Sequence, residues 1–113
     1  MKIITDLLSI SDLKSMAGNF FGNMVKAVVD IDKELLAVDA ELHADLEALL
    51  LENGSEQKNL WGINLYPEAQ SDQFVEFDSM INLRPSQGNK GRSVEDLQTQ
   101  KQILEVVSKR VKQ

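Results

Sequence analysis

"MVKAVVDIDKELLAVDA", residues 24–40, decides how this chain is read. In its first half Val25, Ala27, Val29 and Ile31 fall at every second position, with Lys26, Val28 and Asp30 between them. Successive side chains of a strand point to opposite faces, so this period predicts a strand with one face on a core. Residues 34–40, "ELLAVDA", predict a second strand, and the polar "DIDKE" between the two suits a tight hairpin. Neither Asn-Gly nor Asp-Gly occurs there, so the turn type stays open.

Working outward toward the N-terminus, "MKIIT" predicts a short opening strand and "SISDLKSMAG", residues 9–18, a helix. Ser9 can cap it, and Asp12 can return the bond in a variant of the capping box. Ile10, Leu13 and Ala17 line one face with Met16 beside them, and Gly18 is a natural stop.

On the other side, "ELHADLEALLLENG" (41–54) supports two readings. Period two puts Glu41, His43, Asp45 and Glu47 on one face; period 3.6 makes a stripe of Leu42, Leu46, Leu49 and Leu50. Composition favours the helix, over roughly 44–53. The segment is Leu, Ala and Glu, with no β-branched or aromatic residue, and Gly54 follows. "LWGINLYP" (60–67) predicts a strand with Trp61, Ile63 and Leu65 opposite Asn64 and Tyr66, ended by Pro67. "FVEFDSMINLRP" (74–85) predicts a longer one. The last element is a helix from Val94, with Leu97, Leu104, Val107 and Val111 at helical spacing. Ser93 is its expected cap; Glu95 and Asp96 suit its first turn, and Lys109, Arg110 and Lys112 its last.

Helix, hairpin, helix, hairpin, helix makes an α+β domain over residues 1–113. The expected form is a two-layer sandwich: an antiparallel sheet of four or five strands from two hairpins, with three helices mainly on one face. The second sheet face would mix Met24, Val28, Phe74 and Met80 with Lys26, Asp30, Glu76 and Asn82. Such a surface suits an isologous homodimer, the expected oligomer and an alternative function as an interaction module.

Composition narrows the chemistry. The chain has 113 residues, 42% of them hydrophobic, enough for one core without a cofactor. It has no cysteine and one histidine, which removes disulfides and makes structural zinc improbable. No apolar stretch reaches the roughly 18 residues of a membrane span, and the start has no run of signal-peptide length. A cytoplasmic protein without membrane contact is expected. Twelve basic residues stand against eighteen acidic ones, a net charge of −6, which disfavours nucleic acid.

Against that charge stands "RPSQGNKGRS", residues 84–93, with Arg84, Lys90 and Arg92 and no acid. It runs into the expected start of the last helix, where unpaired N–H groups and the positive dipole end suit an anion. Arg84 would supply a planar fork for a phosphate or carboxylate. Ser86, Gln87, Gly88, Asn89, Arg92 and Ser93 would shape the pocket, joined by His43, Trp61, Asn64 and Tyr66 if the sheet brings them close. The spacing is not that of a P-loop, and the same residues also make an ordinary solvated turn. Glu41, His43, Asp45 and Glu47 have the vocabulary of a metal site, but one histidine without convergent partners argues for no metal. A hydrolase-type enzyme using His43 with Glu41 or Asp45 is a further reading. It lacks a GxSxG elbow, so whether the protein is an enzyme stays open.

"MVKAVVDI", "ELHADLEALLLENGS", "LWGINLYP" and "INLRPSQGN" together resemble a small conserved bacterial and archaeal protein family catalogued as a domain of unknown function. The resemblance implies a stand-alone cytoplasmic protein and brings no activity, cofactor or catalytic residue. It draws interest to Trp61, Asn64, Tyr66, Pro67, Arg84, Ser86, Gln87 and Asn89, which lie inside those strings.

Overall fold

A computed structural model describes residues 1–112. The elements are β1 (Lys2–Ile4), β2 (Leu8–Ser9), α1 (Ile10–Asn19), β3 (Val25–Asp30), β4 (Leu35–Val38), α2 (His43–Glu52), β5 (Leu60–Leu65), β6 (Val75–Glu76), α3 (Leu97–Arg110) and β7 (Val111–Lys112). Short 3-10 turns occupy Gln57–Asn59, Met80–Asn82 and Pro85–Gln87. Five strands form one antiparallel sheet in the order β1-β4-β3-β5-β6. β2 and β7 make a small parallel pair that ties the two ends of the chain together. The class is α+β, with three helices and the antiparallel sheet that the hairpin pattern predicts.

The central hairpin pairs Ala27 with Val38, Val29 with Leu36 and Asp30 with Leu35. Asp30 settles its turn. One carboxylate oxygen accepts the N–H groups of Asp32 and Lys33, each at 2.9 Å, as in an Asx-turn. The other accepts the Ser55 hydroxyl at 2.6 Å, so this buried charge is fully bonded.

The helices divide between the two faces of the sheet. Ala27, Val29, Leu36, Val38, Ile63 and Leu65 pack with Leu13 and Met16 of α1 and with Ile103, Val106 and Val107 of α3. Val28, Ala37 and Leu60 point the other way and pack with Leu46 and Leu50 of α2. Helices therefore lie on both faces over the middle of the sheet, and α2 covers the part of the second face made by Val28, Ala37 and Leu60, leaving Lys26, Glu76 and Met80 at least partly exposed. Val28 and Asn82 are buried there, and Phe74 belongs to the opposite core. Val28 fills a position that alternation assigned to the second face of the sheet. A central strand buried on both faces loses the clean polar–apolar rhythm.

Three boundaries differ from the sequence expectation. α1 has the expected capping box, with Asp12 N–H to Ser9 Oγ at 3.0 Å and Ser9 N–H to Asp12 Oδ2 at 3.2 Å. It runs through Gly18 to Asn19, and the left-handed residue that follows is Gly22, at φ +87°. The long strand expected over 74–85 stops at Glu76. Beyond it Ser79 opens a 3-10 turn, its hydroxyl accepting the Ile81 N–H, and that turn presses directly onto Gly62. Finally, α3 begins at Leu97, not Val94, and its cap is Asp96, not Ser93. Asp96 Oδ2 accepts both the N–H and the hydroxyl of Thr99, at 2.9 and 2.7 Å. Leu97 consequently lies outside the buried stripe and is 77% exposed.

Candidate functional site

The basic loop is folded upon itself. Arg84 and Asn89 pair through their backbones, at 2.8 and 3.1 Å, around the Pro85–Gln87 turn and a left-handed Gly88 at φ +84°. The Asn89 side chain is the knot. Its amide nitrogen donates to the carbonyls of Asn82, Gly91 and Ser93, at 2.7, 3.1 and 2.7 Å. Its oxygen accepts the Glu95 N–H at 2.9 Å. Asn89 thus holds four backbone groups that no helix or strand would satisfy.

Arg84 is turned inward and only 7% exposed. Its Nε donates to Ile81 O at 3.0 Å, Nη1 to Gln57 O at 2.9 Å, and Nη2 to Leu60 O. Glu47 Oε2 lies 3.6 Å from Nη2, and the guanidinium stacks 4.8 Å from the Trp61 ring centroid. Burial pulls its pKa below the ordinary value, and Glu47 opposes that pull. The fork expected to grip a ligand instead seals the end of β5.

The start of α3 is likewise taken. The Asp96 carboxylate occupies the position an anion would need, and Glu95 accepts the Lys90 N–H beside it. The hollow there, about 320 Å³, is lined by Lys58, Trp61 and Gln87 but also by Glu95 and Asp96. Ser86 and Gln87 stay at the surface, Gln87 reaching Lys58 O at 3.4 Å. Ser93 contributes its carbonyl to Asn89. The anion cradle expected from Arg84 and the helix opening at Ser93 is therefore not the arrangement found.

Arg92 goes elsewhere. With Lys26 of β3, Leu42, His43 and Ala44 at the opening of α2, and Ser79, Met80 and Ile81, it lines a hollow of about 180 Å³. Leu42 occupies the N-cap position of α2 and has no side chain that could accept the first N–H groups. The Asp45 N–H reaches Leu42 O at 3.2 Å, and Asp45 lies in the first turn, but no side chain caps the helix opening. Lys26 forms no ion pair among the described residues; its ammonium sits 5.0 Å from the Phe21 ring centroid. Arg92 donates through Nε to Asp78 Oδ1 at 2.7 Å, and its terminal nitrogens have no partner among the described residues.

His43 is the buried member, 8% exposed. Its Nε2 lies 2.8 Å from Ile63 O, which fixes the proton on Nε2. Nδ1 then carries a lone pair that no described residue uses. Burial first, and Lys26 and Arg92 further, hold its pKa below the ordinary histidine value; the Ile63 carbonyl and Asp78 oppose them. The ring is neutral at pH 7. Glu41 and Asp45, expected as acid–base partners, make no bond to it and lie exposed on the surface. No cluster of three His, Asp or Glu among the described residues is arranged to hold a metal ion.

Beside the hollow, Asn64 stands across from Lys26 in the sheet. Its amide nitrogen donates to Glu76 Oε1 at 2.8 Å and to Asp78 O at 3.3 Å, which turns the buried, unpartnered Oδ1 away from β6. Tyr66 donates its hydroxyl to the same Glu76 oxygen at 2.8 Å, and burial and Glu76 together raise its pKa. The sheet thus sets Asn64 beside Lys26 and next to the Asp78 that Arg92 binds, while Tyr66 lines a separate hollow with Glu76, and Arg84 and Trp61 do not line the hollow of His43 and Arg92. Sequence reasoning missed Lys26, Glu76 and Asp78 as members of this group. The available signal was alternation, which puts Lys26, Asn64 and Glu76 at polar positions of neighbouring strands.

A family model described as protein of unknown function (DUF5674) matches residues 2–110. The chain belongs to the DUF5674 family. The matched segment spans every residue of this DUF5674 chain placed above in the loop and in the hollow. Comparison with curated proteins and with solved structures finds no match. No helix among the described residues is long and apolar enough to cross a membrane.

Proposed function

We propose that this DUF5674 protein is a binding module for a small anionic ligand, held in the hollow at the start of α2. The observation that carries the reading is His43: a buried ring with a free nitrogen, lining a hollow whose charged groups, Lys26 and Arg92, are both donors. Around it are the uncapped N–H groups of α2, the unpaired Lys26 ammonium and the free end of Arg92. A helix opening without a capping side chain favours an oxyanion, and two cations beside it add charge-assisted bonds. The loop at 84–93 takes part through Arg92, while Arg84 and Asn89 hold that loop in place.

Titration with inorganic phosphate, followed through backbone amide resonances, tests the reading. Shifts at His43, Ala44, Ser79 and Arg92 are expected, weakened about tenfold by Lys26→Ala, the effect of losing one charge-assisted bond. Amides that stay unmoved at these positions, or shifts that gather at residues 86–96 instead, would remove it.

A further inference from the structure

Resting on that anion site, we infer that its ligand is a phosphate monoester carrying an apolar or aromatic body. The first half of the inference comes from matching donors to acceptors. The helix N–H groups, Lys26 and Arg92 all donate, and so require oxygen acceptors on the ligand. His43 Nδ1 is the reverse: with the proton fixed on Nε2 by Ile63, it requires a hydrogen on the ligand. An ionised carboxylate or a sulfate ester offers acceptors only. A phosphate monoester titrates near neutrality, with its second pKa about 6, so one of its oxygens readily carries the hydrogen that Nδ1 lacks. It meets both demands without charging the buried ring.

The second half comes from the rim. Leu42 and Met80 both line the hollow and are 53% and 61% exposed, with Ile81 between them and the core. The hollow, about 180 Å³, is smaller than the roughly 300–1,000 Å³ of pockets that enclose whole drug-sized ligands. A phosphate head can enter it, and the organic body must then lie across Leu42 and Met80.

Calorimetric titrations with inorganic phosphate, phenyl phosphate and phenyl sulfate at pH 7 test this. Phenyl phosphate should bind about tenfold more tightly than inorganic phosphate, the factor for removing roughly 60 Å² of apolar surface from water. Phenyl sulfate should bind more weakly than phenyl phosphate. The double variant Leu42→Ala, Met80→Ala changes two exposed residues and should erase the advantage of phenyl phosphate over inorganic phosphate. If inorganic phosphate binds and phenyl phosphate binds no tighter, the apolar body is wrong and the anion site stands. If phenyl sulfate matches phenyl phosphate, the hydrogen donated to His43 is wrong. If none of the three binds, the anion site itself falls.

Discussion

Asn82 pairs with Gly62 through its side chain as a strand residue would through its backbone. Its Oδ1 accepts the Gly62 N–H at 2.8 Å and its Nδ2 donates to the Gly62 carbonyl at 2.9 Å. The edge of β5 is thereby closed where β6 no longer reaches it. The same Nδ2 donates to Arg92 O at 3.0 Å, so one buried amide joins the sheet to the segment that carries Arg92.

Asn82→Asp keeps the shape and removes both donated bonds. It leaves the Gly62 and Arg92 carbonyls facing a buried carboxylate. We expect a loss on the order of 3 kcal/mol, the cost of unsatisfied buried groups plus an unpaired charge. Urea denaturation at pH 7 measures it, and a midpoint within error of wild type would contradict the pairing.

Gly62 itself must stay without a side chain. A Cβ built there would lie 2.5 Å from Ser79 Cβ and 3.1 Å from Ile81 Cγ1. Gly62→Ala should cost about 1–3 kcal/mol by over-packing, and the turn at Ser79 should shift. Amide resonances of residues 79–82 report the shift directly.

The two cap assignments at α3 separate cleanly. Asp96→Ala removes the acceptor of the Thr99 N–H and should cost about 1 kcal/mol. Ser93→Ala should stay within about 0.5 kcal/mol, because its hydroxyl caps nothing. Thermal unfolding of the two variants side by side decides between them; a larger loss for Ser93→Ala would restore the earlier helix start.

How much of this was legible in the sequence follows from range. The β3–β4 hairpin, the capping box at Ser9 and the helix after Leu42 rest on neighbours a few residues apart, and local pattern found them. The strand after Glu76 failed because "DSMINL" alternates like a strand, while its true partners are side chains reaching across twenty residues, Asn82 to Gly62. The last helix failed for a nearer reason. Ser93 and Asp96 are both good caps in isolation, and Asn89, by taking the Ser93 carbonyl and the Glu95 N–H, leaves Asp96 as the first free position. The site was half legible. His43 and Arg92, which line the hollow, were named as candidates, as were Asn64 and Tyr66, which do not, and the fork was assigned to Arg84. Sequence gives an arginine's charge and not its direction, and here the direction is set by three backbone carbonyls at the end of β5.

Arg84→Lys therefore distinguishes an architectural arginine from a binding one. A lysine keeps the charge but cannot place donors on Ile81, Gln57 and Leu60 in one plane, so stability should fall by about 2–4 kcal/mol. Phosphate affinity, measured where the variant is folded, should be unchanged, because Arg84 does not line the hollow. An unchanged denaturation midpoint with lost phosphate binding would reverse both assignments.

His43 should leave a signature in the pH dependence of stability. Its folded pKa lies below the ordinary 6.5, chiefly because burial disfavours the charged ring. The unfolded chain therefore takes up the proton first as pH falls. Above about 6.5 both states are neutral and the contribution is complete; below it, stability declines until the folded ring also protonates. His43→Gln retains an N–H that can reach the Ile63 carbonyl and has no titrating group, so it should flatten the decline just below pH 6.5. The difference between the two pH profiles reads the ring. A bound anion acts in the opposite sense, favouring the protonated imidazole. Saturating phosphate should therefore raise the His43 pKa and shrink the decline, ending it at higher pH, while its onset, set by the unfolded chain, stays near 6.5. Proton NMR of the lone histidine, with and without phosphate, reads this, and a pKa at or above 6.5 in the free protein would contradict the buried, neutral ring.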